Sequence, residues 1–254
     1  MPTVKNVSDY IDTLAPYETK CEWDNCGILV GDQNREIHKI GFTLDLTAET
    51  LAKAVKEGVQ LIVTHHPVIF HAQKSFLSGN LAFEAAKNGI DVISAHTCLD
   101  CADGGVNDVL CVLLGLSDIE KVESEESVKP MARIGKTEPV SPKELAAFVS
   151  KKLGTTVRLV DGGRNIETVA VCGGAGMCFL DDVISKGADA FVTGEIKHNE
   201  MLEAKEKGVT VVAAGHFETE SPAMNALKNR VQERFFDTEC ILIKQSNPIE
   251  FIKE

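Results

Sequence analysis

Several histidines and carboxylates of this chain come directly after segments that have the composition of buried strands. Five of the seven histidines and two acidic residues occupy such places: His65, His66, His96, Asp100, His198, His216 and Glu220. Ligands of α/β proteins collect beyond the carboxyl ends of parallel strands, so these side chains are the first candidates for a functional site. Imidazole and carboxylate groups together suit zinc, iron or manganese, and no thiolate is required.

The number of candidate ligands favours two metal ions over one. A single catalytic ion keeps about three protein ligands, whereas five residues are strong candidates here: His65, His66, Asp100, His216 and Glu220. His65 and His66 are adjacent and point to different sides, so each would reach a different ion, and a carboxylate can bridge the two. We therefore predict two divalent ions per subunit, about 3.5–4 Å apart, as in hydrolases that activate water between two metals.

His96 and His198 fall outside this ligand set. They are candidates for proton transfer or substrate positioning, and orientation of the ligands is the other interpretation. His216 and Glu220 are four residues apart and would share a face if their segment were helical. The dipeptide at 221–222 (SP), however, resembles a helix cap followed by a first-turn proline. We therefore expect His216 and Glu220 on the approach to that helix.

The segments around these residues predict alternating strands and helices. Short runs rich in Val, Ile and Ala, without polar alternation, are typical of parallel strands covered on both faces; they span residues 59–64, 90–95, 168–173, 188–193 and 208–214. Helical spacing occupies residues 47–57, 80–88, 178–186 and 197–207, and a glycine suited to a left-handed cap follows each, at Gly58, Gly89, Gly187 or Gly208. This alternation favours parallel sheets with right-handed crossovers.

The chain also contains an internal repeat of about half its length. Residues 51–64 match residues 180–193 at an offset of 129 positions, and residues 84–95 match residues 203–214 at an offset of 119 positions. Both halves therefore share one order of strand, helix, glycine and strand. The repeat predicts an α/β protein with two similar halves and mostly parallel strands, and chance similarity between two generic strand–helix–strand units is the alternative.

The repeat predicts a first half at residues 1–125 and a second at residues 126–254. In one alternative, the final strand of the chain packs against the first half. The segment 123–142 between them is charged and contains three prolines. We expect a linker or an irregular connection there.

Length, charge and cysteine content limit the possible classes of function. With 254 residues the chain can bury one large core or two ordinary ones. Its formal charge of −12 argues against a protein that binds nucleic acid polymers and against a polybasic membrane-surface protein. No segment approaches the roughly 20 apolar residues of a membrane span, and no secretory signal is evident. We therefore expect a cytoplasmic protein whose eight cysteines are reduced, mostly buried thiols.

Five ordered motifs resemble the Nif-three-like family, also called GTP cyclohydrolase I type 2 homologues. They are residues 23–32 (WDNCGILVGD), 64–67 (THHP), 96–100 (HTCLD), 193–198 (TGEIKH) and 215–220 (GHFETE). The resemblance covers essentially the whole chain, in the short form that lacks the middle insertion of some members. Glu195, in the fourth motif, stands where family members commonly carry Asp.

The resemblance implies a dinuclear metal site between two similar α/β domains, in subunits that assemble into a ring-shaped homohexamer. It assigns His66, Asp100 and Glu220 to one ion and His65, His216 and Glu220 to the other. All five positions of the chain carry the residue types that the family pattern requires.

The activity that this pattern implies is a metal-dependent hydrolase acting on a nucleotide, such as GTP, or on another phosphorylated or purine-like small molecule. The alternative is a non-catalytic protein that stores, delivers or senses metal, or that serves as a regulatory adaptor. In a third interpretation the histidines only satisfy hydrogen bonds and hold no metal. Trp23, the only tryptophan, lies in a predicted loop, where it could stack on a base or serve as a core or interface residue.

Overall fold

The computed structural model describes residues 1–123 and 129–252. These residues group into two compact units. The first unit contains Met1–Asp103 and Ala223–Pro248, and the second contains the described residues of Gly104–Pro222 and those beyond Pro248. The boundary at residue 125 is inferred from the internal repeat and not from packing. It stays a prediction about how the sequence was duplicated.

The first unit is built on a five-stranded sheet. In order across the sheet, the strands are β1 (Gly27–Val30), β4 (Asp91–Ser94), β3 (Leu61–Thr64), β2 (Lys39–Thr43) and β11 (Glu239–Leu242). Strands β4, β3, β2 and β11 are parallel, and β1 is antiparallel to β4. Every residue of β3 and β4 is buried, which explains why these segments show no polar alternation.

The second unit contains a six-stranded sheet. Its strands, in order, are β5 (Ser117–Lys121), β6 (Arg133–Val140), β8 (Ile166–Cys172), β9 (Ala190–Thr193), β10 (Thr210–Ala213) and β7 (Arg158–Val160). Strands β8, β9 and β10 are parallel, while β5, β6 and β7 pair antiparallel with their neighbours. Apolar residues cover both faces of the parallel strands: Phe191 and Val211 belong to one buried cluster, and Val192 and Val212 belong to another.

Nine α-helices connect the strands in the described part of the chain. They are α1 (Val4–Leu14), α2 (Ala48–Lys56), α3 (Leu81–Lys87), α4 (Thr97–Cys101), α5 (Val106–Leu113), α6 (Pro142–Leu153), α7 (Leu180–Ser185), α8 (His198–Glu206) and α9 (His216–Arg234). The four helices predicted from spacing are confirmed as α2, α3, α7 and α8. Their terminal glycines adopt the predicted left-handed conformation, with φ of +69° at Gly58 and +67° at Gly208.

The two units share one arrangement of parallel strands, as the repeat predicts. In each, three parallel strands lie side by side in chain order: β2, β3 and β4 in the first, and β8, β9 and β10 in the second. Behind β3, the N–H groups of His65 and His66 both donate to the carbonyl of Leu44 at 3.1 Å. The two residues behind β9 donate in the same way to the carbonyl of Gly174, at 2.9 and 3.0 Å. The prediction of two similar α/β halves is confirmed.

The prediction of an irregular connection at 123–142 is wrong for most of the described part of that segment. Residues 124–128 lie outside the described residues, but β6 fills most of the remainder and pairs with β5 and β8. The register between β6 and β8 shifts between Lys136 and Val140, and Pro139 falls inside that shift. A proline has no N–H to donate to a ladder, so it is tolerated at such an irregularity.

The expected position of His216 and Glu220 ahead of a helix is also wrong. Helix α9 begins at His216, so both residues lie in its first turns, four apart and on one face. Gly215, with φ of +91°, makes the turn from β10 into the helix. Pro222 lies inside the helix, where its missing N–H removes one hydrogen bond but does not end the helix.

Only half of the eight cysteines are buried, although the sequence predicts mostly buried thiols. The buried ones are Cys98, Cys101, Cys111 and Cys172, and no disulfide joins any two of the eight. Within residues 1–123 and 129–252, no helix combines the length and the apolarity needed to cross a bilayer.

Candidate metal centre

Three histidines form a compact cluster at the carboxyl ends of β3 and β4 in the first unit. The ring centroids of His65 and His66 are 4.9 Å apart, and that of His96 lies 5.0 and 5.3 Å from them. Each ring offers one nitrogen within 4.8 Å of those of the other two. His65 is fully buried, whereas His66 and His96 are partly exposed. The adjacent parallel strands therefore bring together three of the predicted residues as a group that could hold a metal ion.

Each of these imidazoles is oriented by a hydrogen bond at Nδ1. The partners are Ala95 O for His65 at 2.9 Å, Asp45 Oδ1 for His66 at 2.7 Å and Asp24 Oδ1 for His96 at 3.0 Å. A carbonyl or carboxylate oxygen accepts a hydrogen bond, so the proton of each neutral ring lies on Nδ1. The lone pair then lies on Nε2, the form in which histidine binds a metal.

Asp24 anchors His96 from inside the protein. Its buried carboxylate also accepts hydrogen bonds from the backbone N–H of Thr97 at 3.0 Å and from the Thr97 hydroxyl at 2.5 Å. Burial alone would raise the pKa of the Asp24 carboxyl, but the hydrogen bonds from His96 and Thr97 outweigh it and hold that pKa below its ordinary value. Asp24 is therefore a fixed negative charge behind the His96 ring.

Asp100 adds a carboxylate to the same unit from helix α4. Its Oδ1 atom lies 3.5 Å from Nε2 of the buried His65. Two ligand atoms bound at about 2.1 Å to one tetrahedral ion are about 3.4 Å apart. The His65 and Asp100 atoms are therefore close enough to belong to one metal centre.

The second unit carries a matching pair at the start of helix α9. Nε2 of His216 and Oε2 of Glu220 are 3.1 Å apart, close to the same ligand spacing, and Glu220 is buried. His216 Nδ1 is hydrogen bonded to Oε1 of Glu195 at 2.7 Å. This imidazole is therefore oriented as the other three are, with Nδ1 held by an oxygen atom and Nε2 facing the Glu220 carboxylate.

A glycine is required beside this pair. Gly174 follows β8 with φ of +61°, and a Cβ atom placed there would lie 2.2 Å from Oε1 of Glu220 and 3.1 Å from Nε2 of His216. Its N–H donates to the hydroxyl of Thr219 at 3.0 Å, which fixes the loop against α9. A side chain at position 174 would therefore collide with the Glu220 carboxylate and crowd the His216 ring. The spacing and orientation of the donors in both units fit divalent metals.

The remaining predicted residue, His198, is exposed at the first position of α8. It belongs to none of the potential metal-ligand groups found among the described residues. Its role, like the assignment of the five ligands, stays a prediction.

Sequence reasoning missed the carboxylates that orient the rings: Asp24, Asp45 and Glu195. Asp45 lies two residues behind β2 and Glu195 two residues behind β9, so the rule that singled out the histidines applies equally to them. Asp24 follows no strand; it lies in the first family motif, residues 23–32, which by itself does not indicate a role for it.

Comparison with known proteins identifies relatives along the whole chain. A curated relative from Clostridium perfringens, named "GTP cyclohydrolase 1 type 2 homolog", is 32% identical and aligned over 98% of this chain and 99% of its own. A relative of the same name from Campylobacter jejuni is 30% identical over 98% of this chain and 99% of its own.

Solved structures show the same fold. A Bacillus cereus protein described as related to NIF3 superposes with a TM-score of 0.90 at 20% identity, covering 99% of both chains. Reduced HcgD from Methanocaldococcus jannaschii superposes with a TM-score of 0.83 at 28% identity, covering 96% of this chain and 98% of that one. The model of the family described as Duf34/NIF3 (NGG1p interacting factor 3) matches residues 2–248. The chain belongs to the DUF34/NIF3 family.

Proposed function

We propose that this protein binds two divalent metal ions per subunit and uses them to hydrolyse a nucleotide or another phosphorylated small molecule, as a GTP cyclohydrolase type 2-like enzyme. The observation that carries the proposal is the common orientation of four histidines. In His65, His66, His96 and His216, Nδ1 is hydrogen bonded to a carbonyl or a carboxylate oxygen, which places the lone pair on Nε2, the atom that binds metals.

The proposed ligands follow the family pattern, with zinc, iron or manganese as the candidate metals. His66, Asp100 and Glu220 bind one ion, and His65, His216 and Glu220 bind the other. The 3.1 Å spacing of His216 with Glu220 supports their use as ligands of one ion.

Divalent cations bound by these residues would supply Lewis-acid activation of water and of the substrate group under attack. The chain's own residues prepare the site for that chemistry. The carboxylates of Asp45 and Glu195 hold the Nδ1 protons of His66 and His216 and make their Nε2 atoms stronger ligands. His96 can accept a proton at Nε2, because the carboxylate of Asp24 stabilises the resulting imidazolium. His198, exposed on α8, is proposed to position the substrate.

Metal analysis combined with turnover assays tests the proposal. Protein loaded with zinc, iron or manganese is incubated with GTP and a panel of phosphoesters, and bound metal is counted by elemental mass spectrometry. We expect two ions per chain and turnover with at least one substrate. Tight, reversible metal binding without turnover under any condition would instead favour the storage, delivery or adaptor function.

A pair of variants in helix α9 tests the role of Glu220. Glu220→Gln removes the bridging carboxylate charge and is expected to lower the metal count below two and to abolish turnover. Glu233→Gln makes the same chemical change at an exposed position of the same helix and should leave both unchanged. Two ions retained in Glu220→Gln would contradict the bridging assignment.

The remaining assignments of the proposal concern assembly and location. The family resemblance supports a homohexamer, which sedimentation analysis of the purified protein tests directly. Eight cysteines outside any disulfide are compatible with a reducing compartment such as the cytoplasm.

A further inference from the structure

Two aromatic side chains of the first unit are exposed side by side. Trp23 is 57% exposed and Phe70 is 41% exposed. Their ring centroids are 5.6 Å apart and their planes are inclined by 33°. We refer to Trp23 and Phe70 as the aromatic pair. Trp23 is thus not a core residue of this unit, which leaves its exposed ring face to be explained.

The loops that carry the aromatic pair are tied to each other and to the interior. The Asn25 side chain donates from Nδ2 to the carbonyl of Ile69 at 2.7 Å, joining the loop of Trp23 to that of Phe70. Asp24, next to Trp23, is buried and hydrogen bonded to Thr97. The rings are therefore held in place before any ligand arrives, which lowers the entropic cost of binding.

The aromatic pair borders the histidine cluster. The His96 ring lies edge-on to both members, with centroid distances of 5.9 Å to Trp23 and 6.1 Å to Phe70. His96 in turn contacts His65 and His66. A molecule lying on the aromatic pair would therefore reach the proposed metal ligands with its other end.

We propose that the aromatic pair is a stacking site for the nucleobase of the substrate, an inference that rests on the proposed function. The base lies on one outer ring face, because sandwiching it would need ring centroids about 7 Å apart, twice the base-stacking rise of about 3.4 Å, and the observed distance is 5.6 Å. Stacking accepts any base, and the phosphate end of the ligand is attracted to divalent cations despite the chain's net charge of −12.

The fluorescence of Trp23 tests this inference directly, because Trp23 is the only tryptophan of the chain. The purified full-length protein is titrated with GMP and, separately, with ribose 5-phosphate, which has the phosphate but no base. We expect saturable quenching by GMP and no quenching by ribose 5-phosphate. Equal responses to both compounds, or no response to either, would overturn the stacking site. So would Trp23 emission that varies with protein concentration but not with GMP, since a second copy of the chain would then cover the rings.

Ring-removing variants give an independent measure by calorimetry. Phe70→Leu is expected to weaken GMP binding about 5- to 150-fold, the range for loss of one stacked base. Trp23→Phe keeps an aromatic face and should retain most of the affinity that Trp23→Leu loses. Phe148→Leu, at a residue of nearly equal exposure (39%) on α6, is the matched control and should bind GMP normally. Unchanged affinity in Phe70→Leu and Trp23→Leu, with thermal unfolding intact, would contradict the inference.

Repeating the GMP titration with metal-depleted protein separates this inference from the proposed function. Base-dependent quenching that persists without turnover of any substrate would keep the stacking site and reject the hydrolase. The opposite result is equal turnover of nucleotides and base-free phosphoesters without base-dependent quenching. It would keep the hydrolase and reject the stacking site.

Discussion

Replacing Gly174 by alanine perturbs the proposed metal ligands without removing any of them. The new Cβ atom would lie 2.2 Å from Oε1 of Glu220, whereas ordinary contacts begin at 3.4 Å. The carboxylate oxygen must therefore move by about 1 Å, and metal–ligand distances tolerate only about 0.2 Å. His216 Nε2, at 3.1 Å from the same point, is crowded as well. We expect metal affinity to fall by at least about 10- to 100-fold, the loss seen when groups that orient metal ligands are removed.

The backbone cost of this substitution can be measured separately at Gly154. Gly154 caps α6 with φ of +66°, close to the +61° of Gly174, but no atom lies within 4 Å of the Cβ position there. A non-glycine residue in the left-handed region costs about 1–2 kcal/mol. In a protein of this size that corresponds to a Tm decrease of about 2–8 °C. Gly154→Ala should show this decrease while binding metal normally.

Two measurements on both variants decide the outcome. Thermal unfolding of metal-depleted protein gives the backbone cost, and competition with a chromophoric chelator gives the metal affinity. We expect Gly174→Ala to lose at least as much thermal stability as Gly154→Ala, and only Gly174→Ala to lose metal affinity. If Gly174→Ala binds metal with normal affinity and stoichiometry, Glu220 and His216 are not ligands and the reasoning fails. If Gly154→Ala loses metal affinity equally, the effect is backbone destabilisation and not ligand displacement.

Three further predictions follow from single contacts. Asp45→Asn keeps the size of the side chain that holds His66 but removes its charge, and is expected to weaken metal binding about 10- to 100-fold in the chelator assay. The pKa of the Asp24 carboxyl is lower in the folded protein than its unfolded value of about 3.9. The carboxylate therefore stabilises the fold fully at a pH above about 3.9, and this stability is lost as the pH falls through the folded pKa. Asp24→Asn should therefore lower the Tm at pH 7 and reduce the dependence of Tm on pH in the acid range; an unchanged Tm profile would contradict this. Iodoacetamide at pH 8 should modify the exposed Cys178 before Cys111, because burial raises the pKa of the Cys111 thiol to about 12; peptide mapping that found Cys111 modified first would contradict the assignment.

The sequence predicts the parallel strands and the places behind them because both follow from local patterns. An uninterrupted apolar run of four to six residues can be buried on both faces only between covering helices, as β3 and β4 are. The terminal glycines fix where the helices stop. The histidines behind those strands could therefore be placed at one edge of a sheet without any knowledge of the tertiary structure.

The features that the sequence does not predict depend on long-range pairing. The segment of β6 is charged and contains Pro139, and it becomes a strand because β8 and β5 are available as partners on either side. Helix α9 starts earlier than its Ser-Pro signal because Gly215 lets the chain turn directly from β10 into the helix. Asp24 meets His96 across 72 positions of sequence, a contact that no local pattern reports.

The repeat places candidate functional residues directly after the parallel strands of each unit, but the residue types at equivalent positions differ. Two residues behind β3 lies His66, a proposed ligand, whereas the same place behind β9 holds Glu195, which orients a ligand. The helix behind β4 opens with Thr97, whereas the helix behind β10 opens with the imidazole of His216. In the first unit the carboxylate that orients His66 is Asp45, two residues after β2. Equivalent backbone positions thus carry different groups in the two units, and each unit orients its proposed histidine ligands with oxygen atoms of its own. An alignment of the two halves by residue type therefore does not match these positions. Their equivalence is seen only in the backbone, where they follow corresponding strands.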